Sequence, residues 1–163
     1  MGFFDKVKHF AGGHGVTATI TEIEGQNPEQ TRFPVSDSVL KFRVAVEGDK
    51  PATVLAHVFS VYAERKGESN PRLIEVASER HDEKSDIYGS RVKWPYQLEP
   101  GTAVQDGCCI TNVNLAKALQ EMGVSDVRAA LNDASYEFYV KFSADVQGSP
   151  IDAQAKQVIR VIR

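Results

Sequence analysis

From Tyr136 to Val146 apolar and polar residues alternate without a break. Tyr136, Phe138, Val140, Phe142, Ala144 and Val146 fall on one side; Glu137, Tyr139, Lys141, Ser143, Asp145 and then Gln147 fall on the other. Only a period of two collects such a set on one face, so this run is a strand with one face in a core and the other in water. A half-buried strand needs a second layer to cover it. The rest of the chain supplies that layer in the same pattern.

Val16 to Ile23 is rich in Thr, Ile and Val and ends at the turn Gly25-Gln26-Asn27-Pro28. Leu40, Phe42, Val44 and Val46 alternate with Lys41, Arg43 and Glu47, before the turn Gly48-Asp49-Lys50-Pro51. Thr53 to Ala63 is apolar on both sides, which predicts a strand covered on both faces or lying centrally. A polar hairpin loop, Glu64 to Pro71, leads to a return strand over Leu73–Ala77, and Glu79–Asp86 reads as a charged, solvated stretch. Val92, Trp94, Tyr96 and Leu98 alternate around Pro95, which removes a ladder donor and predicts an edge position or a bulge. Strands over Asp106–Val113 and Gln157–Ile162 complete a set of about eight at hairpin-like spacing. The expected fold is all-β: an antiparallel two-sheet sandwich of arrestin-like or immunoglobulin-like type.

Two helical pieces interrupt it. Leu115, Ala118, Leu119 and Met122 share a helix face, with Asn114 as N-cap and Gly123 as the stop; Ser125 then caps a piece carrying Val127, Ala130 and Leu131. The insert spans about residues 114–132. At the other end of the chain Phe3, Phe4, Val7 and Phe10 recur at helical spacing, opposite Asp5, Lys6, Lys8 and His9. This predicts a short amphipathic N-terminal helix over residues 1–12, hinged at Gly12-Gly13-His14-Gly15 to a sandwich body over 16–163.

With 163 residues, 42% apolar and 25% charged, the chain has the size and balance of one globular domain with its own core. A net charge of −3 leaves no basic footprint, which argues against nucleic acid. No apolar run reaches the length of a membrane span, and Met1-Gly2-Phe3-Phe4-Asp5-Lys6 has neither the form of a secretory signal nor the myristoylation pattern. The expectation is a cytoplasmic protein.

Little in the sequence resembles an active site. There is no Gly-x-Ser-x-Gly elbow and no phosphate loop, and Gly12-Gly13-His14-Gly15 precedes a strand rather than a helix. The adjacent Cys108 and Cys109 staple no loop and lack a histidine for zinc; they read as reduced strand thiols, at least one buried. His57, inside the most apolar strand, reads as a hydrogen-bonded structural histidine. His81, in Glu79-Arg80-His81-Asp82-Glu83, reads as part of a solvated loop, and His9 and His14 have no partner at metal-ligand spacing. No catalytic residue, cofactor or metal is expected.

Three segments resemble the arrestin-like fold as bacterial relatives of the sporulation-control protein family use it. They are Met1-Gly2-Phe3-Phe4-Asp5-Lys6-Val7-Lys8, the strand and turn Trp94-Pro95-Tyr96-Gln97-Leu98-Glu99-Pro100-Gly101, and Tyr136 to Asp145 with Gly148 and the closing Ile159-Arg160-Val161-Ile162. Two departures stand out: the chain suffices for a single sandwich where that family generally carries two, and the helical insert is larger than expected. The resemblance implies a non-enzymatic adaptor, scaffold or regulatory domain whose partner is another protein; separately, open edge strands leave room for a homo-oligomer. A second expectation is weak peripheral membrane association through Phe3, Phe4, Val7 and Phe10. A hydrolase or small-molecule binder with a dispersed site ranks third.

Overall fold

The computed structural model describes residues 8–10, 15–24, 38–67, 71–85, 92–159 and 161. Its strands are β1 (Lys8–Phe10), β2 (Val16–Ile23), β3 (Ser38–Gly48), β4 (Ala52–Arg65), β5 (Arg72–Asp82), β6 (Tyr96–Leu98), β7 (Ala103–Val113), β8 (Tyr136–Val146) and β9 (Ala153–Ile159). Helices α1 (Leu115–Glu121) and α2 (Val127–Leu131) lie between β7 and β8. The larger sheet has the order β1-β9-β8-β4-β5, with β6 also paired to β4; the smaller is β2-β3-β7. All pairings are antiparallel. The fold is the all-β sandwich that the alternation predicts.

Register explains the core. Phe59 lies opposite Phe142, Val61 opposite Val140, and Phe142 in turn opposite Ala155, so one inward rung crosses three strands of the larger sheet. From the smaller sheet Leu40, Phe42, Val44 and Val46 face them, fully buried or nearly so. The Phe42 and Phe59 rings meet edge to face across the two sheets, centroids 5.3 Å apart. β4 takes the central position that its two-sided apolarity predicts, with Ala56 and Ser60 buried on its other face.

The helical insert closes one end. Asn114 Oδ1 accepts the Lys117 amide at 2.8 Å, which starts α1, and Gly123 at φ 87° ends it. Leu115, Ala118, Leu119 and Met122 are buried, and α1 packs against β4 and β5. Asp126, not Ser125, caps α2: its Oδ1 accepts the Ala129 amide at 3.1 Å, three residues ahead, as an N-cap must.

Three further corrections concern element boundaries. Lys8–Phe10 forms a strand on β9, with His9 opposite Ala155, where the spacing predicted helix. A helix of barely three turns nucleates poorly alone, whereas the open edge of β9 offers ready backbone partners. Residues 1–7, with Phe3, Phe4 and Val7, lie outside the described residues, as does the side chain of Phe10. The strand around Pro95 shortens to Tyr96–Leu98, paired only to the start of β4, with a cis bond between Trp94 and Pro95. Lastly, the charged stretch after Ser78 is the second half of β5, which continues to Asp82.

Gly15 begins β2 at φ 69°, where a Cβ would fall 1.7 Å from Asp49 Oδ1; the Asp49 amide donates to its carbonyl at 3.1 Å. Truncating Phe59 to Ala removes a fully buried ring from between the sheets. A loss of about 3–5 kcal/mol in chemical denaturation is expected, and an unchanged midpoint would contradict the pairing of Phe59 with Phe142.

Candidate functional site

One group of described residues joins two buried histidines through a carboxylate, and it lies between the sheets. Asp106 on β7 pairs with Val44 in register and therefore shares that residue's inward face. On the larger sheet His57 of β4 and His81 of β5 are directly opposite one another. Asp106 Oδ2 meets His57 Nδ1 at 2.8 Å and His81 Nδ1 at 3.0 Å, spanning the two sheets. The remaining ring nitrogens are also engaged. His57 Nε2 lies 2.6 Å from the Tyr96 hydroxyl, and His81 Nε2 lies 3.0 Å from Glu79 Oε1. Asp106 Oδ1 accepts the Gly107 amide at 2.8 Å.

Environment assigns the protons. Burial opposes the Asp106 charge, but hydrogen bonds from His57 and His81 outweigh it and hold the carboxyl down at about 2. As a carboxylate it only accepts, so both imidazoles donate Nδ1–H to it. Burial lowers the pKa of His57 despite the pull of Asp106, so its ring is neutral and Nε2 accepts. The Tyr96 hydroxyl donates to that nitrogen, and burial followed by the Asp106 charge raises the phenol's pKa and keeps it protonated. For His81, burial works against the charge, but Asp106 and then Glu79 overcome it and raise the pKa. An imidazolium at His81 donates to carboxylates on both sides.

The site is closed. His57 and His81 are 0% and 1% exposed, and the Asp106 side chain 6%. The His57 ring is ringed by Phe142 at 4.9 Å, Trp94 at 4.6 Å and Tyr96 at 5.5 Å between centroids, and Phe59 lies 4.7 Å from His81. Trp94 Nε1 is buried there without a hydrogen-bond partner. Such a cluster can hold two sheets in register and store a charge, and both of its imidazoles are buried. Among the described residues no group of His, Cys, Asp or Glu has the arrangement of a metal site.

His57 is the hydrogen-bonded structural histidine that its sequence context predicts. His81 is a correction: it is buried on a strand, not solvated in a loop. The charged neighbours Arg80 and Asp82 point the other way along the pleat and bond each other at 2.7 Å, which masks the alternation. Nothing in the sequence flags Asp106 or Tyr96; the partner of a buried histidine lies on another strand, and only the pairing of sheets shows which. Cys108 is buried and Cys109 exposed, both free.

No family model matches the chain, and no curated protein matches it. Solved structures do. The crystal structure of Spo0M, sporulation control protein, from Bacillus subtilis superposes with a TM-score of 0.56 at 14% identity, over 91% of this chain and 49% of that one. This chain thus spans about half the length of that protein. A protein from Archaeoglobus fulgidus superposes over 91% of this chain and 98% of its own, with a TM-score of 0.38 and 11% identity.

Two expectations follow from the site. Burial raises the pKa of the Cys108 thiol, so native protein should show one fast-reacting thiol, Cys109, and a second only on unfolding; two fast thiols would place Cys108 wrongly. The second concerns pH. The raised pKa of His81 contributes stability that is complete below 6.5 and lost as pH climbs through its folded value. The lowered pKa of His57 contributes stability complete above 6.5 and lost as pH falls through its folded value. Together they place a stability maximum near pH 6.5. His81→Gln should flatten the alkaline slope and His57→Gln the acid slope in denaturation series across pH; equal slopes in all three proteins would remove the protonation scheme.

At 14% identity the superposition with Spo0M establishes the fold alone: this chain has the arrestin-like sandwich fold.

Proposed function

We propose that this chain is a non-enzymatic interaction domain that binds another protein, in the manner of an adaptor or regulatory module. One observation carries the reading: the acid–base cluster is sealed inside the sandwich with both nitrogens of each histidine occupied. Catalysis needs a general base within hydrogen-bond reach of a substrate proton, and the burial of both imidazoles argues against that reach. The chemistry of the core therefore serves rigidity, and recognition falls to the surface.

The surface feature best suited to a protein partner is β5. Among the described residues it is the terminal strand of the larger sheet, paired only to β4. Its first half, Arg72 to Glu75, is regular and carries Leu73 at 55% exposure, beside the half-buried Ile74 and Val76. An extended partner segment adding to this edge gains main-chain hydrogen bonds and an apolar contact at Leu73. The likeness to Spo0M supports a regulatory role by analogy of fold only.

The test is affinity capture from the native cell with wild-type chain, Leu73→Lys and, as a control on another exposed apolar residue, Ile151→Lys. A lysine on an open edge is a known barrier to strand addition. The expected result is a partner retained by wild type and Ile151→Lys and lost by Leu73→Lys, with stability unchanged within about 0.5 kcal/mol. Equal capture by all three would remove β5 from the reading, and turnover of a substrate that depends on His57 would end the non-enzymatic one.

A further inference from the structure

The outer face of the larger sheet carries a feature that neither the core nor the β5 edge explains. Lys141 on β8 and Lys156 on β9 are directly opposite in register. Like charges facing each other across strands are destabilising; here Glu64 and Glu137 answer Lys156 and leave Lys141 the less compensated of the two. Beside it lies a depression of about 150 Å³ lined by Tyr139, Lys141, Gln154, Ala155 and Lys156. Drug-sized ligands occupy pockets of roughly 300–1,000 Å³, so this one suits a single small group.

Its polar lining consists of donors. Lys156 is held in place: its ammonium lies 3.7 Å above the Tyr139 ring, 3.8 Å from Glu64 and 4.0 Å from Glu137. Tyr139 is fixed in turn by stacking on Tyr62, ring centroids 5.4 Å apart. Burial, with Glu64 and the other acids nearby, pushes the Tyr139 phenol up to about 12, so it keeps its proton. Lys141 makes no ion pair among the described residues; Asp152 interacts with it electrostatically from beyond ion-pair distance. Neither the Tyr139 hydroxyl nor the Gln154 amide has a hydrogen-bond partner among the described residues. An ammonium, a phenol and an amide thus stand around one small hollow with their donors unspent, and a second ammonium is braced beside them.

We propose that this hollow is a binding site for a phosphate oxyanion, with Lys141 as its principal charge, Lys156 as a braced second cation, and Tyr139 and Gln154 as neutral donors. Phosphate offers the several acceptor oxygens that such a set can satisfy together, and bonds to a charged acceptor are the stronger kind. Binding would also relieve the repulsion along the Lys141–Lys156 rung.

The experiment is an amide-resolved NMR titration of the full chain with inorganic phosphate at constant ionic strength. It is compared with Lys141→Gln, Lys141→Arg, Gln154→Ala and the control Lys50→Gln, which alters an exposed turn lysine. The expected result is saturable shifts confined to residues 139–143 and 154–158. Affinity should fall about tenfold or more in Lys141→Gln, fall less in Gln154→Ala, and persist in Lys141→Arg and Lys50→Gln. Shifts that never saturate, that spread over distant lysines, or that weaken equally in Lys50→Gln would overturn the site. Vesicles containing phosphatidic acid form a second arm. Binding to them without a response to free phosphate would assign the charge to a membrane surface and also overturn it.

Discussion

The interaction on which the sandwich depends is the pair of bonds from one carboxylate oxygen of Asp106 to His57 and His81. A buried carboxylate costs several kcal/mol in lost hydration, and only well-aligned donors offset that. Asp106 has three: two imidazole N–H groups from the facing sheet and the Gly107 amide of its own strand. The consequence is specificity of arrangement. A one-residue slip of β7 against β3 would turn Asp106 to the solvent and leave a buried imidazolium at His81 with one carboxylate lost. Apolar contacts between the sheets tolerate small shifts, but this contact does not. The bond from Tyr96 to His57 extends the same constraint to β6, which otherwise holds to β4 through three residue pairs.

The rings around the cluster complete it. Phe59, Phe142 and Trp94 displace water from the histidines, and in the resulting low dielectric each hydrogen bond counts for more. The same exclusion separates both imidazoles from solvent. The larger sheet therefore has two unlike faces. The inner face is saturated and rigid, and the outer face, along β4, β8 and β9, carries lysines and glutamates beside Tyr62 and the buried Tyr139.

What the sequence disclosed follows from which interactions are local. The alternation of Tyr136–Val146, the two-sided apolarity of Thr53–Ala63, and the Asn114 cap with its Gly123 stop are encoded by neighbours a few residues apart, and each appears as read. The order of the sheets and the neighbours of His57 are not local. Asp106 lies 49 residues beyond His57, and a lone aspartate in a strand carries no mark of its partner. His81 is hidden for a different reason: its flanking charges, Arg80 and Asp82, are the outward half of an alternation whose inward half is polar too. A periodicity argument weighs apolar residues, so a core made of imidazole and carboxylate is invisible to it. The N-terminus misleads through the opposite excess. The helical spacing of Phe3, Phe4, Val7 and Phe10 carries no mark of the β9 edge, on which Lys8–Phe10 pairs as a strand.

The edges complete the argument about recognition. β2, β5 and β7 each carry an extra residue relative to their neighbour: Thr21 in β2, Val76 in β5, and one around Asn112 in β7, where φ is 58°. Bulges bend and twist an edge and so oppose flat, unselective pairing with another sheet. In β2 the bulge falls near the strand's end, and in β7 near the entry to α1. In β5 it divides the strand. The half beyond it is committed inward through Glu79 and His81. The half before it, Arg72 to Glu75, keeps regular geometry and an exposed leucine. The device that guards the strand against indiscriminate association thus leaves one short regular stretch, long enough for a few ladder bonds and one side-chain contact. A contact of that size would give the proposed interaction only modest affinity.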